Sequence, residues 1–145
     1  MRTQDRLEYE WIFRSAYPRV LRTVSQILWS RSAAEDVAQE AFLKLLLHWR
    51  TASGYEQPEA WVRRVAIRLA IRQAQREIRR GELERTGQAA PKEQEAGDSE
   101  LAKAIMTLAP MQRAAVVLYY YEDLPVVEVA RILVVSESTV KQHLY

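Results

Sequence analysis

Three groups of residues in this chain have the types and spacing for chemistry, and in each the chemistry is binding. Glu35, Asp36, Gln39 and Glu40 form an acidic cluster that runs on into Leu43 and Leu47 at helical spacing. Carboxylates followed by outward-facing leucines suit a docking surface for a basic partner helix. The same spacing also describes an ordinary amphipathic helix with surface carboxylates. Arg64, Arg68, Arg72 and Arg76 stand four apart, a single row along a helix, and Arg63, Arg79 and Arg80 add to it. Like charges at that spacing repel by a few tenths of a kcal/mol per pair, roughly. Only Glu59 and Glu77 lie in the same stretch to offset them. Phosphates are the natural source of counter-charge, the alternative being a solvated arginine face. Last come Ser138, Thr139, Lys141 and Gln142, flanked by Glu137 and His143. Hydroxyl, ammonium and amide groups on one short helix suit phosphate and base-edge contacts in a major groove.

Nothing assembles a catalytic centre. His48 and His143 are far apart, and the chain has neither a glycine-rich phosphate loop nor a two-histidine metal spacing. Glu35, Asp36 and Glu40 could touch a hard cation, but no other residues complete a shell. Neither an enzyme nor a bound cofactor or metal is expected. The 145 residues suffice for one domain or two small ones, and 48% of them are hydrophobic. The net charge of +2 hides an uneven distribution. The absence of cysteine excludes disulfides and thiolate metal sites. A polar start, MRTQDRLEYEW, and the lack of an apolar run near the ~20 residues of a span give no membrane insertion and a cytoplasmic expectation.

The elements that must position these groups are all helical. Leu7, Trp11, Ile12 and Phe13 mark a first helix, and Pro18 is placed to begin a second, with Val20, Leu21, Val24, Ile27 and Leu28 inside. The acidic helix begins at Ser32, where Ser32 and Glu35 have the spacing of a capping box. Glu35 and Asp36 then fall in a first turn that favours negative charge. Val37, Ala38, Ala41, Phe42, Leu45 and Trp49 are its buried stripe. A connection holding Gly54 and Tyr55 leads to Pro58, which opens the arginine helix to about Arg80. Trp61, Val65 and Leu69, with Val62 and Ala66, are its expected buried side. Residues 81–99 lose periodicity and read as a flexible linker. The chain thus divides into residues 1–80 and 100–145. In the second part, Leu101, Ile105 and Leu108 form a short helix. Pro110 starts another, with Ala114, Val117, Leu118 and Tyr121 inside. Pro125 opens a third and Ser136 caps a fourth. The last two, joined at Val134-Val135-Ser136, have the form of a helix-turn-helix, with Ala130 at the crossing and Val135, Val140 and Leu144 holding the second helix down.

Taken together, AAEDVAQEAFLKL, PEAWVRRVAIRLAI, LAPMQRAAVVLYYYEDLPVVEVARIL and SESTVKQHL, in this order, resemble the bacterial RNA polymerase sigma factors of the sigma-70 family, specifically the small extracytoplasmic-function type. The resemblance covers about residues 8–80 and 100–145. It implies an all-α protein of two small domains, region two and a region-four helix-turn-helix, joined by a flexible linker. It implies core RNA polymerase, promoter DNA and an anti-sigma factor as partners. Glu35, Asp36, Gln39 and Glu40 stand where region two grips the polymerase. Tyr55, Trp61 and the row Arg64, Arg68, Arg72 and Arg76 stand where the family meets and melts the minus-ten element. An aromatic at Tyr55 could stack on a flipped base for roughly 1–3 kcal/mol, whereas Trp61 reads more readily as core. Ser138, Thr139, Lys141 and Gln142 stand where region four reads the minus-thirty-five element.

The chain departs from the family pattern at several places. Arg68 and Arg72 replace the usual Asn and Asp, which leaves minus-ten specificity open. Val134 replaces the turn glycine, and a β-branched residue in a left-handed turn is strained by about 1–2 kcal/mol. The final helix is short, as in a trimmed form. Two other readings therefore stand beside the sigma factor: a helix-turn-helix transcriptional regulator, and a degenerate sigma-like interaction module that does not initiate.

Overall fold

The computed structural model describes residues 2–51, 57–84 and 100–145. Helix α1 spans Thr3–Ile27, one helix where the sequence implied two, with Pro18 inside it. Proline there removes an amide donor and crowds the carbonyl four residues back, at about 3 kcal/mol relative to alanine. The helix continues because its buried stripe does. Ile12, Ala16, Val20, Val24 and Ile27 all lie in the core, and a break at Pro18 would turn half of them away. Pro18 itself faces solvent.

Helix α2 spans Arg31–Leu47 and starts earlier than expected. The cap is Ser30, whose Oγ accepts from the amide of Ala33 at 3.2 Å. Ser32 sits within the first turn, its Oγ 3.2 Å from that of Ser30. The expected capping box does not form. Glu35 instead accepts from Nε of Arg31 at 3.3 Å, an i,i+4 pair within the helix that begins at Arg31. Glu35 and Asp36 consequently lie beyond the first turn, where the dipole argument loses force. The stripe Val37, Ala38, Ala41, Phe42, Leu45 and Trp49 is buried as the spacing requires. An aromatic cluster fastens α2 to α1. The Tyr9 hydroxyl donates to the carbonyl of Phe42 at 2.8 Å, and the rings of Phe13 and Phe42 meet edge to face at 5.0 Å. Tyr9 also meets Trp49 at 5.9 Å. Burial raises the Tyr9 phenol above its ordinary pKa.

Helix α3, Pro58–Glu84, runs past Arg80 into the stretch read as linker; the remainder of that linker lies outside the described residues. Its core side differs from the expectation. Val62 and Ala66 are buried, joined by Ile67, Ala70, Ile71 and Ala74, while Trp61, Val65 and Leu69 are only half-buried. The reason is that α3 is packed from two directions, by α1 and α2 and also by two helices of the second unit, Pro110–Val116 and Val126–Leu133. A helix covered twice buries a wider arc than one amphipathic stripe.

The second unit comprises α4 (Glu100–Met106), α5 (Pro110–Val116), a π-helical turn (Val117–Tyr121), α6 (Val126–Leu133) and α7 (Glu137–Leu144). The π-turn closes with the amide of Glu122 on the carbonyl of Val117 at 3.0 Å. One extra residue in a turn rotates the downstream side chains by roughly 100°. Tyr121, expected inside, is accordingly 44% exposed, whereas Ala114, Val117 and Leu118 are buried. Ser136 caps α7 as expected, its Oγ accepting from the amide of Thr139 at 3.1 Å. Val140 is fully buried and Ala130 nearly so, with Val135 and Leu144 half-buried beside them. Val134 has φ 60° and ψ 50°, the left-handed conformation expected from the family's glycine at that position.

The two units are docked through polar contacts. Thr23 of α1 donates to the Glu122 carboxylate at 2.7 Å. Arg113 of α5 donates to the carbonyl of Ile27 at the end of α1, and within its own unit also to the carbonyls of Met106 and Leu108. Arg68 of α3 donates to the carbonyls of Ile132 and Arg131 in α6.

Candidate protein and nucleic-acid interfaces

The outer face of α2 carries the acidic cluster. Asp36, Gln39 and Glu40 are exposed and Glu35 is half-exposed. Leu43 and Leu47 come next toward the helix C-terminus, at 53% and 70% exposure. Leu46, which spacing did not single out, is exposed beside them. Its signal was present, since Leu46 lies three residues from Leu43 on a helix whose buried stripe is already filled. Glu35 pairs with Arg31 and Glu40 with Lys44, at 3.3 and 4.0 Å. Both pairs are internal to α2. A row of exposed leucines capped by carboxylates is a surface suited to another protein rather than to water.

The arginine row of α3 divides in two. Arg72 and Arg76 are exposed, and Arg76 is held by an Nη2 bond to Oε1 of Gln73 at 2.9 Å. Arg64 and Arg68 are half-buried and both already make contacts within the molecule. Arg68 turns toward the second unit, with Nε 2.9 Å from the carbonyl of Ile132 and Nη2 3.4 Å from that of Arg131. That engagement was invisible to spacing, which cannot see a bond across 64 residues. Trp61 is half-buried against the core, and its ring lies 6.0 Å from that of His48. Tyr55 lies outside the described residues.

On α7, Ser138, Lys141 and Gln142 point outward and line one shallow depression with Tyr145. Thr139 is less available. It is half-buried, and its Oγ1 lies 2.9 Å from the capping Oγ of Ser136. Among the described residues no cluster of His, Cys, Asp and Glu could hold a metal ion. No described helix is long and apolar enough to cross a membrane.

Two helical units, the second a helix-turn-helix with a polar outward helix, define a class of nucleic-acid-directed regulator. Comparisons with known proteins narrow it. The family model for sigma-70 region 2 matches residues 12–80, and that for sigma-70 region 4 matches residues 98–145. The RNA polymerase sigma-E factor of Streptomyces coelicolor is 28% identical over 143 residues, which cover 96% of this chain and 81% of that protein. The sigma-E factor of Streptomyces antibioticus is 29% identical over 143 residues, covering 96% and 79%. In the solved structures, the sigma factor RpoE, co-crystallised with the anti-sigma factor NepR from Bartonella quintana, superposes with a TM-score of 0.72. That match is 17% identical and covers 94% of this chain and 89% of the other, and it bears on the fold. The chain belongs to the sigma-70 family, as a sigma factor of the extracytoplasmic-function type that directs RNA polymerase to promoters.

Proposed function

We propose that the chain works by holding two partners at once and has no active site of its own. The outer face of α2, with Glu35, Asp36, Gln39, Glu40 and the exposed leucines, grips core RNA polymerase. The arginine row, together with Tyr55 and Trp61, meets the minus-ten element and favours its melting. Ser138, Thr139, Lys141 and Gln142 contact the minus-thirty-five element. Residues 1–80 and 100–145 are the two working units and the stretch between them is the tether, which raises the effective concentration of the second contact once the first is made. An anti-sigma factor, as bound to the RpoE of the solved relative, would hold this chain inactive by covering these surfaces. The site of action is the cytoplasm.

The observation that carries this reading is the separation of charge. The α2 carboxylates make their ion pairs inside α2, and Arg72 and Arg76 stand exposed on another helix. Each charge is therefore available to a different partner. The test is promoter-directed transcription with purified core polymerase. Specific initiation from defined start sites supports the proposal. Core binding without initiation would point to an interaction module, and duplex binding without core affinity to a separate regulator.

A further inference from the structure

Helix α6 ends in a way that leaves it dependent on the other unit. Beyond Leu133 the chain turns through left-handed Val134, and the next two amides, of Val134 and Val135, both go to the carbonyl of Ala130. The carbonyls of Arg131 and Ile132 belong to the last turn and have no main-chain donor among the described residues. The guanidinium of Arg68 supplies both bonds. It arrives at the negative end of the α6 dipole, where a cation is favoured.

The docking is reciprocal. Arg113 is 7% exposed and caps the end of α1 through the carbonyl of Ile27. Its Nε is buried without a partner atom. Burial lowers its pKa, opposed by the charge of Glu77. A buried cation held chiefly by carbonyls is a contact that water or an anion can replace.

We infer that Arg68 is a latch, closing the two units onto each other in the free chain by capping α6, and that nucleic-acid phosphate competes for the same guanidinium and opens the molecule. The second half rests on the nucleic-acid role proposed above; the first half does not. Arg68 stands in line with exposed Arg72 and Arg76, so a backbone tracking that row would draw it off the carbonyls. Phosphate carries a full charge where a carbonyl carries a partial one, and a charge-assisted bond is the stronger. Since binding and closure compete for one group, each must weaken the other by the same factor.

The absence of native cysteines allows clean labelling for energy transfer, with Glu10→Cys on α1 and Lys103→Cys on α4 in the full chain. The latch predicts a predominantly short distance in the unliganded protein. Arg68→Ala should raise the open fraction about tenfold, Arg68→Lys less, and Arg72→Ala not at all. Circular dichroism checks that each variant keeps its helices. An Arg68→Ala chain with an unchanged distance distribution overturns the latch. Thr23→Val breaks the neighbouring Thr23–Glu122 bond and leaves the row intact, so it provides a second opening variant. A mixed-sequence single-stranded 20-mer, roughly 20 phosphates long, is then titrated. The competition predicts that the wild type opens as it binds and that Thr23→Val binds about threefold tighter or better. Binding without any change in distance overturns the competition while leaving the nucleic-acid reading intact. A chain that Arg68→Ala opens, but that in no variant binds the oligonucleotide, keeps the latch, overturns the competition and removes the nucleic-acid reading.

Discussion

At the scale of single residues, Val134 is the clearest conflict between side chain and backbone. Its φ of 60° places a β-branched side chain where L-residues other than glycine are disfavoured, at about 1–2 kcal/mol. It is 71% exposed, so no packing compensates. Asp123 also has a left-handed φ, of 58°, but a short polar side chain tolerates that conformation better. Val134→Gly should therefore stabilise the chain. Glycine's extra freedom in the unfolded state returns part of the gain, leaving roughly 1 kcal/mol net. The measurement is a urea midpoint at unchanged slope, and an equal or lower midpoint would show that the strain does not exceed glycine's entropic cost. Val134 was legible because the sigma-factor resemblance puts a glycine at that turn position, which marks it as left-handed. The cap of α2 was not. Ser30 and Ser32 are equally good caps by type; the structure uses Ser30, and Arg31 in the first turn then pairs with Glu35.

At the scale of elements, local rules were right about residue types and wrong about continuity. Pro18 signals a helix start, yet α1 passes through it because Ile12, Ala16, Val20, Val24 and Ile27 form one stripe against the core. Five buried side chains outweigh one lost backbone bond, since each is worth about 1–3 kcal/mol. Pro18→Ala should then stabilise the chain, because it restores the donor and removes the clash while the stripe is unchanged. The gain should approach, and not exceed, about 3 kcal/mol. Thermal unfolding should show a raised midpoint; a lowered one would mean that the proline bends α1 into a shape the core requires. The π-turn at Val117–Tyr121 is the converse case. Nothing in VLYYY announces an extra residue per turn, so periodicity puts Tyr121 on the wrong side. Helix α3 departs from its pattern for a third reason. Its second covering comes from α5 and α6, and a helix's own periodicity carries no information about how many neighbours it will have.

At the scale of the whole molecule, the two proposed partner surfaces respond differently to mutation and to salt. Asp36→Ala with Glu40→Ala removes two exposed carboxylates. Within the molecule it breaks the exposed Glu40–Lys44 ion pair, so stability should move by less than about 0.5 kcal/mol. Affinity for core polymerase should fall about tenfold, or ~1.4 kcal/mol. A titration of labelled chain with core reads this directly, and unaltered affinity would remove the α2 face from the polymerase contact. The arginine row was legible as a row, but its working members were not. Arg68 is bonded to α6 in the closed molecule, whereas Arg72 and Arg76 are exposed and, under the proposed function, are the ones to meet phosphate first. If each neutralises one phosphate of a duplex, removing both should lower the slope of log affinity against log salt by about 1.8. Arg72→Ala with Arg76→Ala is therefore a test of mechanism as well as of strength. Lost affinity with an unchanged slope would mean that the two arginines shape the helix and do not neutralise phosphate. A smaller slope with core affinity intact is the result expected of a chain that keeps its protein-binding and nucleic-acid-binding charges on separate helices.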